Sequence, residues 1–217
     1  INKPGAVQSV ISVTFPIEMK PGASDQIALN VMNSILGGGS FGARIMQNLR
    51  EDKAYTYGAY SSFEVTRDGS WFGTSGSFRN EVTDSAITEL LAEIKKISDS
   101  YVTDDELNLA KSAMAGGFAR SLERPQTIAR FALNIIRDNL PADYYQTYLK
   151  RLDAITKDDV LTVAQKYFKN GFNIVAVNKK ANTLPIDLYK ELRADLKKYD
   201  KEFLYETSVE TGIPVLQ

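Results

Sequence analysis

Two residues in the stretch "LREDKAYTYG" (49–58) have side chains that could take part in chemistry: Arg50 and Tyr57. An Arg guanidinium is a planar fork that can hold substrate carbonyls or a carboxylate. A Tyr hydroxyl is one of the donors that can stabilise a developing oxyanion. The segment between them is a helix end and a short turn, which can bring both into one cleft. Each residue also has a purely structural explanation. Arg50 sits where a cation complements a helix C-terminus, and Tyr57 could open a strand with its ring buried and its hydroxyl wet. Spacing alone leaves both readings open.

Just upstream, "LGGGSFGARI" (36–45) is glycine-rich. As a phosphate-binding loop its signal is weak, because no Lys-Ser/Thr pair follows the last glycine and no parallel-strand unit precedes it. It reads either as a helix stop and tight turn into the next helix, or as a side-chain-free strip that a peptide backbone can approach. The acidic runs "EDK" (51–53) and "TDDE" (103–106) form no visible ligand set, and they suit a solvated turn and a helix N-terminus. The tyrosines of "DYYQTYLKRL" (143–152) suit a packed helix face better than a base-stacking platform.

The chain has no His and no Cys among its 217 residues. Disulfides, thiol catalysis, thiolate metal sites and any His-based hydrolytic machinery are therefore excluded from this chain alone. No metal site is expected here, and any imidazole chemistry must come from a partner. Lys plus Arg (26) nearly balance Asp plus Glu (27), so there is no charge footprint for nucleic acid. No apolar run approaches the ~20 residues of a membrane span. "INKPGAVQSV" (1–10) has neither a basic segment nor an apolar signal core, so no targeting sequence is expected within it. Periplasmic, secreted and cytoplasmic settings all remain open.

The elements that must position these residues follow from periodicity. "VQSVISVTF" (7–15) alternates as a strand, with "PIEMKPG" (16–22) as a loop. "ASDQIALNVMNSIL" (23–36) is helical, capped by Ser24 or Asp25, and a second helix over 40–51 puts Phe41, Ile45 and Leu49 on one face. Strand-like runs 57–65 and 71–78 flank Asp68-Gly69, a hairpin signal. Helices are expected over 82–97, from the Thr103/Glu106 capping box to Leu122, over 125–139, 141–155 and 156–168, then a strand over 172–177. A hairpin, a run of helices and a late strand returning to the sheet define an α+β fold with helices on one sheet face. Residues 1–180 read as one domain. Residues 181–217 read as a tail, with a charged helix over 187–203 and an irregular end.

At this level of detail the chain resembles a known family. "LNVMNSILGGGSFGARIMQNLREDKAYTYGAYSSF" (29–63), the opening "PGAVQSVISV" and "TDDELNLAKSAMAGGF" resemble the non-catalytic repeat of insulinase/pitrilysin-type zinc peptidases. That group includes mitochondrial processing peptidase, respiratory-complex core subunits and many bacterial zinc proteases. The likeness spans roughly 3–178. It implies a mixed, mainly antiparallel sheet covered by helices. Catalytic repeats carry H-x-x-E-H on their first long helix, whereas the matching helix here has no His. The resemblance thus implies the inactive domain of a zinc metallopeptidase, closing over a catalytic H-x-x-E-H domain, fused or separate, that holds the Zn. In such a domain Tyr57 would hydrogen-bond a carbonyl near the scissile bond, and Arg50 would hold backbone on the leaving-group side. Gly37, Gly38, Gly39, Ser40 and Phe41 occupy the place of a substrate-contacting loop. The rival implications are a scaffold of the same fold that has lost catalysis, or a module binding peptide along a sheet edge.

Overall fold

In a computed structural model of the chain, the described residues are 1, 3, 5–38, 42–169 and 171–177, with the backbone of 205–207 and 214–216. Strand β1 (Gln8–Ile17) lies between β3 (Ser70–Arg79) and β4 (Asn173–Val177), and β2 (Thr56–Val65) pairs with β3 from the outside. The order is β2-β3-β1-β4, and all three pairings are antiparallel. β1 alternates as its sequence requires, with Ser9, Ile11, Val13, Phe15 and Ile17 buried. The strand runs two residues past the expected Phe15, through Pro16. β4 reaches only Thr14, so at Pro16 β1 is already an edge and the missing N–H removes no ladder bond on that side.

The helices cover the inward face. Helix α1 (Gln26–Leu36) buries Ile27, Leu29, Val31, Met32, Ile35 and Leu36. Truncating one such residue to Ala, Leu29 for example, costs about 2–5 kcal/mol. Asp25 sits at the N-cap but makes no side-chain cap. Its carboxylate instead accepts hydrogen bonds from Lys166 Nζ (2.6 Å) and the Tyr167 hydroxyl (2.8 Å). Those donors stand on α7 (Lys157–Phe168), so Asp25 ties the first helix to the last. Burial raises the Asp25 carboxyl, but these two bonds, the Lys166 charge and a backbone bond together outweigh it and hold the group below its usual range.

Helix α3 (Thr83–Asp99) lays Ala86, Ile87, Leu90, Ile94 and Ile97 on the core. Helix α4 (Asp104–Ser121) opens on the expected capping box: Thr103 Oγ1 accepts the Glu106 N–H, and Glu106 accepts the Thr103 N–H. Glu106 also takes two bonds from Arg44, at 2.6 and 2.9 Å. Helix α5 (Pro125–Asp138) starts at its proline and closes on Asn139 in the left-handed conformation. The next helix is shorter than its periodicity predicts. Turns occupy Pro141–Thr147 and α6 spans only Tyr148–Asp153. In those turns Tyr145 stacks on Phe131 at 3.7 Å, and Tyr144 takes the Arg151 guanidinium over its ring at 4.2 Å. The tyrosines are thus packed rather than presented. The helix expected over 187–203 lies outside the described residues. Beyond it, β5 (Tyr205–Thr207) and β6 (Pro214–Leu216) pair with each other antiparallel, where an irregular end was expected.

Candidate active-site corner

Between α1 and β2 the backbone departs from regular structure three times. After a short α2 (Arg44–Met46), residues Gln47–Asp52 form a π-helical turn. The Lys53 N–H reaches Asn48 O, five residues back, at 3.1 Å. Ala54 then takes φ +50°, a region that a side chain rarely adopts. Finally β2 opens on a bulge. Thr56 pairs with Phe78 and Ala59 with Gly76, so three steps on β2 oppose two on β3.

The bulge decides where Tyr57 points. Ala59 and Ser61 are buried, and unbroken alternation would put Tyr57 inside with them. The extra residue reverses that parity: Thr56 is buried and Tyr57 is 87% exposed. The structural alternative, a buried Tyr57 ring, is therefore not what the fold adopts. Thr56 pins the arrangement. Its hydroxyl accepts the Gly58 N–H at 3.0 Å and donates to Ser77 O at 2.6 Å. Opposite the bulge, Gly76 leaves no room for a side chain, since a Cβ there would lie 2.8 Å from the Phe78 ring and 2.9 Å from Ala59 Cβ.

Arg50 lies on the π-helical turn that leads into this strand, in the last turn where a cation suits the helix end. It is about one-third exposed, with Nε 3.4 Å from Glu51 Oε1. The turn is fastened on its other face to α3. Asn48 Nδ2 donates to both Glu89 and Glu93 at 2.9 Å, and Lys53 Nζ lies 3.1 Å from Glu89. A cavity of about 460 Å³ opens there, lined by Arg44, Asn48, Lys53, Glu89, Glu93 and Glu106 among others; Arg50 and Tyr57 are not part of its lining.

The glycine strip begins as a helix stop. The Gly37 N–H bonds Asn33 O at 2.9 Å, and its carbonyl accepts the Ser61 N–H at 2.8 Å, on the outer edge of β2. A Cβ at Gly37 would sit 2.6 Å from that nitrogen, so only glycine allows α1 to end against the strand. Gly38 is packed over Asn33 and Ser34. Gly39, Ser40 and Phe41 lie outside the described residues. Thr56, Gly58 and the bulge were not legible as site features. The one available signal was Gly58, an isolated glycine in a strand pattern. Among the described residues no group of three or more carboxylates is arranged to hold a metal ion, and no helix is long and apolar enough to cross a membrane.

The described sheet is four-stranded and antiparallel, backed by helices, with Arg50 and Tyr57 at its irregular corner. The chain belongs to the peptidase M16 inactive-domain family, whose model matches residues 1–114. It is 27% identical over 159 residues to a Bacillus subtilis protein named an uncharacterized zinc protease, YmxG, covering 71% of this chain and 37% of that one. The solved peptidase M16 inactive domain from Pseudomonas fluorescens superposes with a TM-score of 0.76 at 25% identity, over 82% of this chain and 42% of that chain. The inactive peptidase domain of a zinc protease-like protein from Bordetella parapertussis shares the fold, with a TM-score of 0.68 at 16% identity, over 81% and 94%. A local match of 66 residues, 38% identical, to a bifunctional aspartokinase/homoserine dehydrogenase of Haemophilus influenzae covers 8% of that enzyme. The chain thus spans well under half the length of the zinc-protease relative.

Proposed function

We propose that this chain is the domain of a zinc-dependent metallopeptidase that closes over a catalytic H-x-x-E-H domain and completes its cleft. Zinc and general base belong to that partner. In this reading Tyr57 donates its hydroxyl to the scissile carbonyl as the oxygen gains charge, where a positioned donor acts most strongly. Arg50 holds substrate backbone on the leaving-group side through its fork. The same reading assigns substrate contact to the glycine-rich stretch 37–41, of which Gly39, Ser40 and Phe41 lie outside the described residues.

The observation that carries this reading is the bulge. A polar aromatic side chain that strand alternation would place in the core is turned out to 87% exposure by this irregularity. Bulges of this kind re-aim side chains beside active sites. The test is reconstitution with the catalytic domain on a peptide substrate. Tyr57→Phe and Arg50→Ala are each expected to lower turnover by on the order of 10²-fold with unchanged melting. Full activity in both variants would assign the pair to structure and favour the scaffold reading.

A further inference from the structure

Among the described residues, helix α5 has an apolar face with nothing against it. On a helical wheel Thr127, Phe131, Asn134, Ile135 and Asp138 form one side. That side is held: Phe131 stacks on Tyr145, Asn134 Nδ2 donates to the Tyr145 hydroxyl at 3.0 Å, and Asp138 faces Arg137 and Arg67. Ile128, Ala129, Ala132, Leu133 and Ile136 form the adjoining arc at i, i+4 and i+8 spacing, and all five are exposed. Ile128 is 52%, Leu133 59% and Ile136 81% exposed. In a helix this amphipathic, the apolar arc should face a core. Here half of it does.

We propose that this arc of α5 is the docking surface for the catalytic domain invoked above, and the inference rests on that reading. Two observations select this occupant. The chain covers 37% of its zinc-protease relative and 42% of the P. fluorescens chain, so each relative carries more polypeptide than this domain, with surface available to cover it. The arc is also flanked by Arg124 at the helix start and by Arg130, while the one carboxylate of the helix, Asp138, is paired bidentately with Arg137 and faces Arg67. A partner surface with an apolar centre and acidic rim fits that pattern. A second copy of this chain would set basic rim against basic rim.

The experiment compares binding of the catalytic domain to this chain and to its Ile136→Glu and Leu133→Glu variants, by calorimetry at moderate salt. Both side chains are solvent-facing, so circular dichroism and melting should match the parent chain. The expected result is affinity reduced at least ~10-fold in each variant, the range of a truncated interface anchor. A catalytic domain that fails to bind the parent chain would sink the functional reading itself. Parent binding with equal affinity for both variants would overturn the docking surface alone. So would a parent chain that self-associates and is rendered monomeric by Ile136→Glu, because the arc would then belong to a second copy.

Discussion

The two ends of the β2–β3 hairpin follow opposite rules. At the far end, Thr66–Gly69 connects the strands as the Asp-Gly pair predicts. Thr66 and Ser70 side chains satisfy the loop, and Gly69 faces open space. At the near end, a π-helical turn, a left-handed Ala54 and a bulge occur between Gln47 and Ala59. The far end shows that this strand pair is closed by an ordinary loop, whereas the near end is the entry into β2. That entry is irregular where Arg50 and Tyr57 stand. Backbone outliers that persist in a packed domain cluster at functional sites, and the inference runs from the outlier to the role.

Substitutions can separate the two ends. The largest expected effect is at the pin. Thr56→Val leaves Ser77 O without its donor and Gly58 N–H without its acceptor, and should destabilise by about 1–3 kcal/mol in denaturant melts. Thr56→Ser should recover most of that. Next comes the tie between α2 and α4, which anchors the corner from behind. Arg44 hydrogen bonds hold Glu106 at about 2 against an ordinary 4.5, with burial acting in opposition. Because the folded value is the lower one, this stabilisation is complete above the ordinary value and is lost as the pH falls towards about 2. With its partial exposure discounted, the loss should be ~1 kcal/mol, and Glu106→Gln should flatten the melting curve over that acid range.

Smaller effects compare backbone with backbone. Ala54→Gly relieves a left-handed side chain and should be neutral or stabilising by up to ~1 kcal/mol, while loosening the corner and lowering turnover. Gly69→Ala, at the far end, should stabilise by ~0.4–1 kcal/mol with turnover unchanged. If Ala54→Gly left turnover intact, the left-handed residue would be incidental. The smallest effect is expected from deleting residues after Lys180. The cooperative melt should survive, and its disappearance would make the tail part of the domain.

Much of this molecule was legible in its sequence for simple reasons. Thr103 and Glu106, Pro125, the Asp68-Gly69 turn and the apolar spacing of α3 each carry their signal within a few residues. The corner is the opposite case. Alternation from Ala59 and Ser61 assigns Tyr57 to the core, and only the register with β3, at the far reach of the hairpin from its turn, inserts the bulge that turns it out. The π-helical turn likewise depends on Asn48 meeting Glu89 and Glu93 across the fold. Asp25 reads locally as a cap, yet Lys166 and Tyr167, some 140 residues away, claim its carboxylate. Types, spacing and family likeness proposed Arg50 and Tyr57 as a pair; the bulge that turns Tyr57 outward was not legible.

The central claim is that the bulge exists to present Tyr57. It is tested most directly by the turnover number of Thr56→Val and Thr56→Ser, assayed with the catalytic domain well below their melting temperatures. The account predicts that Thr56→Val loses turnover to about the level of Tyr57→Phe, on the order of 10²-fold, while Thr56→Ser keeps it. Undiminished turnover in Thr56→Val, with its stability lowered as expected, would contradict it.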